Sequence, residues 1–473
     1  MSQALLAQTF TEVSPAPGFE GVSRGSIAFS DVNGDGNDDV LITGDNSLQE
    51  RITKMYTNDG AGNFTEIMGL LFDGVRDGSV AFSDVNGDGI DDVLITGENS
   101  SDERIAKLYT NDGIGNFTEL TGASFEGVKF SSIAFSDVNG DGYNDVLITG
   151  SNSSFEAIAK LYVNDGTGVF TMVVGTPFEG VRSSSVAFSD VNGDGNIDVL
   201  LTGEKSLGGN IAKLYINDGT GIFTEMIDTP FDGVRTSSIA FSDINGDGNE
   251  DVLLTGENDV DERIAKLYIN DGTGDFTEMM NVPFDGVRFG SVAFSDVNGD
   301  GDNDVLITGS PSNFEPRIAK LYTNDGAGNF TETIGTPFIG VFASSIAFSD
   351  VNGDGNDDVL ITGSSGGGTA KLYTNDGGAI STEDFAIGLN LAFTLYPNPV
   401  RTSILNVCFN STVNDFTVLK VNDLNGRLLI KQDEHTVIGQ QEILIDISSL
   451  RPGSYLLQIE NGNRKGGAGF VVQ

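Results

Sequence analysis

Seven times the chain carries the string Asp-Val/Ile-Asn-Gly-Asp-Gly, beginning at Asp31, Asp84, Asp137, Asp190, Asp243, Asp296 and Asp350. In the first copy, side-chain oxygens stand at Asp31, Asn33, Asp35 and Asp39, the first, third, fifth and ninth positions of the loop. Gly36 fills the sixth position, where the chain must turn tightly, and Asn37 at the seventh offers its backbone carbonyl. Hard oxygens in this number suit Ca²⁺, whose flexible shell takes about six to eight of them; Mg²⁺ demands a stricter octahedron. An Asx-turn hairpin without metal is the plain alternative, but three carboxylates within nine residues repel one another when no counterion is present.

The other copies keep the same donor set. They are Asp84, Asn86, Asp88, Ile90 and Asp92; Asp137, Asn139, Asp141, Tyr143 and Asp145; and Asp190, Asn192, Asp194, Asn196 and Asp198. Then come Asp243, Asn245, Asp247, Asn249 and Asp251; Asp296, Asn298, Asp300, Asp302 and Asp304; and Asp350, Asn352, Asp354, Asn356 and Asp358. The expectation is up to seven Ca²⁺, one per copy, in a structural role. The loop departs from an EF-hand: Ile42 stands at the twelfth position instead of Glu, and the segment opens into a strand.

Each loop sits inside a larger unit, with starts 53 residues apart five times and then 54. Ser-Ile/Val-Ala-Phe-Ser precedes the loop and Asp-Val-Leu-Ile/Leu-Thr-Gly follows it; after a variable stretch come Ala-Lys-Leu-Tyr-x-Asn-Asp-Gly and Gly-x-Phe-Thr-Glu. These are four short β-branched or alternating segments bounded by turn residues, and Asn-Asp-Gly between the last two is a hairpin signal. No helical periodicity appears in residues 1–387. Four strands per unit at this period read as propeller blades; a parallel β-helix is the rival, but its rungs are much shorter. Phe10-Thr11-Glu12 repeats the fourth-strand string Phe64-Thr65-Glu66, whereas the seventh copy ends in Ala379-Ile380-Ser381. The N-terminal segment is therefore expected to supply the outer strand of the last blade.

Composition narrows the function. The formal charge is −44, so phosphate would be repelled and nucleic acid is excluded as a partner. One cysteine excludes a disulfide framework, and a single histidine, His435, leaves no Ser/His or Cys/His pair elsewhere. No catalytic residue is assigned, and no apolar run approaches the roughly 20 residues of a transmembrane helix. Residues 388–473 balance seven basic against seven acidic residues, so the whole excess lies in residues 1–387. The expected domains are a propeller over residues 1–378, a linker over 379–392 and a second domain over 393–473.

The Asp-x-Asn-x-Asp-Gly-x-x-Asp loops with their following apolar strands resemble the FG-GAP/VCBS repeat family, the calcium-binding repeats of integrin α-subunit propellers and many bacterial surface proteins. The resemblance implies calcium in the seven loops; propellers of that family serve adhesion or glycan recognition and sometimes enzymatic scaffolding, but no family-wide ligand motif carries a ligand role over to this chain. Residues 393–473 resemble the type A sorting domain of the type IX secretion system of Bacteroidota-like bacteria. Leu395-Tyr396-Pro397-Asn398-Pro399, Val421–Arg427, Asp446–Leu450 and Gly453–Leu457 carry that likeness. It implies export through that machinery to the extracellular space or outer cell surface. Met1–Phe10 has no basic n-region, and Ala4-Leu5-Leu6-Ala7-Gln8 reads as the stub of a signal peptide. The expected fold is all-β: a seven-bladed β-propeller of four-stranded blades, then a small β-sandwich.

Strand order places the acidic loops and the Asn-Asp-Gly turns on one face. The variable stretches (45–50, 98–103, 151–157, 204–210, 257–262, 310–316 and 364–368) lie on the other, with the connection that follows Phe-x-Gly-Val. There Arg76, Lys129, Arg182, Arg235 and Arg288 recur at one position and form a candidate anion-binding ring for uronate or sulfate groups. The competing reading pairs them with Asp73, Glu126, Glu179, Asp232 and Asp285. The repeated tyrosines (Tyr56, Tyr109, Tyr162, Tyr215, Tyr268, Tyr322 and Tyr373) stack on sugars or pack between blades. The sequence thus supports a secreted or cell-surface binding or adhesion module that recognises a glycan or cell-surface ligand. Its alternatives are a polysaccharide lyase or hydrolase on the same scaffold, and a purely structural surface protein.

Overall fold

The computed structural model describes residues 10–14, 17–313, 316–375, 393–396, 403–411, 413–423, 428–448, 450–451, 453–461 and 464–472. The expected linker over 379–392, the stretch 4–8, Pro397–Pro399 and residues 424–427 lie outside them. The chain divides into two compact units, Met1–Gly377 and Gly378–Gln473. Every described element is a β-strand, a 36-strand inventory without a helix among the described residues.

In the first unit each copy folds into antiparallel strands joined in chain order. In the first copy Ile27–Ser30 pairs with Asp39–Asp45, which pairs with Arg51–Asn58, which pairs with Phe64–Glu66. The second strand is a continuous apolar run because it is covered on both sides. Val40, Leu41 and Ile42 are all fully buried. Leu41 packs into a core shared with Val75, Val93 and Tyr109 of the second copy, while Val40 and Ile42 turn the other way, toward Val351, Leu360 and Leu372 of the seventh. Seven such clusters lie between consecutive copies, and the one joining the seventh copy to the first completes the cycle.

Hydrogen bonds follow the same cycle. Asn111 donates Nδ2 to the carbonyl of Val32 at 2.8 Å and Asn164 to that of Val85 at 2.9 Å, while Asn58 reaches Val351, 293 residues away, at 2.8 Å. Phe10–Glu12 pairs with Gly368–Asn375 of the seventh copy, with Phe10 opposite Asn375. Phe64 stands opposite Asn58 in the same way. The repeated tyrosines are buried in the shared clusters. Tyr56, for example, meets Phe19 edge-on at 5.0 Å, and its hydroxyl accepts the backbone N–H of Glu20 at 3.2 Å.

The first strands differ in length. In the third copy Val128–Ser136 runs as nine residues with an irregular register between Lys129 and Ser132; in the second, Val80–Ser83 has four. The difference tracks one position, Ser131 against Gly78. A Cβ on Gly78 would stand 1.9 Å from the carbonyl oxygen of Thr96, so the backbone there approaches its neighbour more closely than any side chain permits.

The second unit contains two sheets, one formed by Phe393–Tyr396, Ile404–Ser411 and Gly439–Asp446. The other orders Leu428–Thr436, Asp415–Asp423, Gly453–Asn461 and Arg464–Val472. Both contribute to one core, Leu405, Val407 and Ile445 from the first and Leu419, Leu457 and Phe470 from the second. Thr417, Thr436, Ser411 and Asn461 hydrogen-bond to one another within the unit. His435 is exposed, edge-on to Phe416 at 5.5 Å.

Candidate functional site

Each acidic loop is closed by its own carboxylates. In the first copy Asp31 Oδ1 accepts the N–H of Gly34 at 2.8 Å and Oδ2 that of Gly36 at 2.8 Å. Asn33 Oδ1 accepts from Asp35 at 2.9 Å, and Asp35 Oδ1 from Asn37 at 2.9 Å. Gly34 and Gly36 take φ values of 75° and 86°, the left-handed region this turning requires. The ninth residue behaves differently. Asp39 is fully buried and accepts from Asn58 N at 2.8 Å and from Val32 N at 3.2 Å, tying the loop to the third strand. Asn58 thereby couples two loops, its own through Asp39 and that of the seventh copy through Val351.

Among the described residues, no three His, Cys, Asp or Glu side chains already converge as a metal cluster. The donor set nevertheless fits a hard cation. Burial above all, with the neighbouring charges of Asp35 and Asp31, pushes the Asp39 carboxyl up to about 6. Its equivalents Asp92, Asp145, Asp198 and Asp251 stand at about 6, and Asp304 and Asp358 at about 7, for the same reasons. In the sixth copy Asp304 Oδ2 is buried without any hydrogen-bond partner. A divalent cation would relieve both conditions, the crowding of carboxylates and the orphaned oxygen.

The registers place the two kinds of charge at opposite ends of each sheet. Ser30 faces Asp39 beside the acidic loop, whereas Asp45 faces Arg51 at the far end of the same strands. Of the eighteen lysines and arginines in residues 1–387, seven are the third-strand lysines; the other eleven belong to this far end, in the variable stretches, the starts of third strands and the inter-copy connections. Arg76, Lys129, Arg182, Arg235 and Arg288 are among them, and each is engaged by an acid.

Their partners differ from those the spacing offered. Arg76 meets Glu98 at 2.9 Å, Arg182 meets Glu204 at 3.1 Å and Arg235 meets Glu257 at 2.7 Å. Asp73, Glu126, Glu179, Asp232 and Asp285 instead pair with the lysines of the third strands, Lys107, Lys160, Lys213, Lys266 and Lys320. The reason is register: the residue opposite each basic position is the end of the second strand, as Arg76 opposite Glu98 illustrates.

A second repeated position at this end escaped the sequence reading. The residue after the Arg76 repeat position, which is basic in five copies and Ser23 or Phe342 in the other two, takes a positive φ in every copy: Arg24, Asp77, Phe130, Ser183, Thr236, Phe289 and Ala343, between 48° and 58°. For Phe and Thr this conformation costs roughly 1–3 kcal/mol and persists only where surroundings enforce it. Neighbouring copies enforce it through hydrogen bonds: Asp77 N donates to Arg24 O at 2.7 Å, Phe130 N to Asp77 O at 2.6 Å and Arg24 N to Ala343 O at 3.0 Å. The only sequence signal was negative, since the seven residues share no side-chain type.

The FG-GAP-like repeat matches residues 31–95, 84–148, 137–201, 190–254, 243–307 and 296–361, most of the chain. The chain belongs to the FG-GAP-like repeat family. An FG-GAP repeat also matches residues 342–382, and a secretion system C-terminal sorting domain matches residues 394–473. The latter implies handling by the type IX secretion machinery and points to export and a secreted or cell-surface location. No described helix is long and apolar enough to cross a membrane.

Among curated proteins, this FG-GAP-like chain is 24% identical over 210 residues to a T-cell immunomodulatory protein homolog from Plasmodium yoelii yoelii. The match covers 40% of this chain and 29% of that protein's length. Among solved structures it is similar to AofleA from Arthrobotrys oligospora, with 12% or less identity: 11% identical, TM-score 0.38, covering 70% of this chain and 91% of that one. It is also similar to the Aleuria aurantia lectin, a fungal lectin described as a six-bladed β-propeller with a novel fucose recognition mode. That match is 12% identical with a TM-score of 0.36, covering 63% of this chain and 91% of the lectin.

Proposed function

We propose that this FG-GAP-like chain is an exported binding or adhesion module. In this reading residues 1–378 form a seven-bladed β-propeller made rigid by up to seven Ca²⁺, and residues 393–473 form a small β-sandwich that directs export. The observation that carries the ring is the cycle of inter-copy contacts, closed by Asn58 on Val351 and by Phe10–Glu12 on Gly368–Asn375. Seven blades match seven inter-copy cores. Residues 379–392 serve as the linker.

Calcium is assigned to the acidic loops because their carboxylates crowd one another around a turn of backbone N–H groups. Bound Ca²⁺ supplies positive charge there and lowers the mutual repulsion. Recognition is assigned to the opposite end of the sheets, where the copies differ. The variable stretches present exposed apolar tips, Leu48, Phe155, Leu207 and Val260, amid the basic residues. Near-equivalent copies favour weak repeated contacts that gain through avidity, which suits a glycan or a cell-surface polymer.

The test is a glycan array probed with the purified chain in calcium and in EGTA. Calcium-dependent retention without turnover of the glycan is the expected result. Release of reducing ends or unsaturated products from a bound polysaccharide would replace this reading with that of a lyase or hydrolase.

A further inference from the structure

The basic end of the ring is not uniform, and its departure from sevenfold regularity is chemical. In the second, fourth and fifth copies, the basic residue finds an acid at the end of its own second strand: Arg76 with Glu98, Arg182 with Glu204 and Arg235 with Glu257. In the sixth copy that position is Ser310, bridged to Arg288 through the backbone alone. Arg288 therefore reaches back to Glu257 of the fifth copy, at 2.7 Å from Nη1. Arg263 is drawn to the same carboxylate, its Nε 3.8 Å from Glu257 Oε2.

Glu257 lies within ion-pair distance of three guanidinium groups, of which Arg235 alone has a further acid, Asp261 at 3.3 Å. Among the described residues it is the one carboxylate within ion-pair distance of Arg263 and Arg288. Both arginines direct Nη2 at a single neutral oxygen, Asn313 Oδ1, at 2.6 and 2.7 Å. Both also keep Nε buried with no hydrogen-bond partner. The Arg263 side chain is 10% exposed. Burial, then the charge of Arg288, lowers its affinity for its proton. Buried donors without acceptors are costly, and converging guanidinium forks are built for planar or tetrahedral oxyanions.

Beside them Phe289 is 43% exposed, held at φ 50°, with the Arg288 guanidinium 5.4 Å from its ring centre. An exposed aromatic face next to an oxyanion site matches a sugar ring carrying an acidic substituent. At the matching junction of the second and third copies Lys129 stands in place of Arg288, paired with Glu98, and Arg104 donates Nη1 to Ser151 Oγ at 3.1 Å, so a single guanidinium is present. The junction of the first and second copies is already balanced. Arg51 there has Glu98 at 3.1 Å, Asp102 at 2.6 Å and the carbonyl of Asn99, and Arg76 has Asp45 at 3.5 Å as well as Glu98.

We infer that Arg263 and Arg288, with Phe289 beside them, form a single binding site for the carboxylate or sulfate group of an acidic glycan, at the junction of the fifth and sixth copies. This rests on the binding-module reading and gives it a ligand class and a stoichiometry of one high-affinity site per chain. The −44 charge does not forbid it, because the acidic loops lie at the other end of the sheets and exposed charges are screened beyond about 8 Å at physiological salt.

The experiment is titration of the calcium-loaded full chain with three labelled probes: a hexuronate trisaccharide, a sulfated chondroitin tetrasaccharide and neutral maltotetraose. One or both acidic probes should bind at about one per chain, with affinity falling as salt rises, and maltotetraose should not. Arg288→Gln should weaken acidic binding at least about tenfold, Arg263→Gln likewise, and Lys213→Gln, at a third-strand lysine paired with Glu225, should leave it unchanged. Which acidic probe binds distinguishes uronate from sulfate. Because Arg263→Gln disturbs a buried group, Arg288→Gln with an unchanged unfolding midpoint is the deciding variant. Acidic binding undiminished in Arg288→Gln, or no acidic binding at all, overturns the inference. In the second case, retention of neutral glycans on the array keeps the binding-module reading, and an empty array removes it too.

Discussion

Asn58 and Val351 lie 293 residues apart and are joined by a 2.8 Å hydrogen bond from the Asn58 amide to the Val351 carbonyl. The same bond recurs between every other adjacent pair of copies, as from Asn217 to Val138 at 2.8 Å. The terminal copies are therefore joined as the internal ones are. Removing the donor strands a buried carbonyl, so Asn58→Ala and Asn217→Ala should each cost about 1–3 kcal/mol. Equal losses in denaturant unfolding mark a closed ring; a much smaller loss for Asn58→Ala marks an open one.

The buried ninth-position aspartates give the metal-free chain an unusual pH profile. Unfolded, they titrate near the ordinary aspartate value of 3.8; folded, Asp39 stands at about 6 and Asp358 at about 7. Between those values the folded state holds protons that the unfolded state has released, so stability falls as pH rises from about 4 to about 7 and then levels. In EGTA the unfolding midpoint should therefore be higher at pH 5 than at pH 7.5. With calcium the order should reverse, because protons compete with the ion for the same oxygens.

Gly78 marks a close approach of two backbones, since a Cβ there would lie 1.9 Å from Thr96 O. Gly78→Ala should cost about 1–3 kcal/mol or more through overpacking. At the equivalent position of the fourth copy, Ser184 shares a hydrogen bond of 2.8 Å with Thr149. Ser184→Ala should lose that one bond, about 0.5–1.5 kcal/mol. Thermal unfolding of the two variants compares the effects directly.

Phe231 packs on Tyr268 and Phe276 with ring centres 5.0 and 5.1 Å away. Phe231→Ala should cost about 3–5 kcal/mol. Tyr268→Phe should cost far less, because its hydroxyl only accepts the N–H of Asp232 at 3.4 Å. Denaturant midpoints of the two variants test this ranking.

The all-β character and the repeat were legible because turn residues and apolar runs recur at a fixed period. The acidic loops were legible for the same reason. What could not be read was partnership set by strand register. Arg76 and Asp73 are near in sequence, yet register sends Arg76 to Glu98 and Asp73 to Lys107. The buried bonds of Asp39 to Asn58 and Val32 were hidden too, because an aspartate at a ligand position reads as a ligand before it reads as a strand tie. The positive-φ ring of Arg24, Asp77 and Phe289 left no trace, since backbone strain imposed by neighbours leaves no preferred residue type.

Equilibrium dialysis against ⁴⁵Ca²⁺, paired with thermal unfolding of the same samples, tests the central claim most directly. The expected result is close to seven ions per chain, one for each acidic loop. Stabilisation should be about 2.7 kcal/mol per independent site at a hundredfold excess over its Kd. No bound calcium and the same unfolding midpoint in calcium and in EGTA would contradict it.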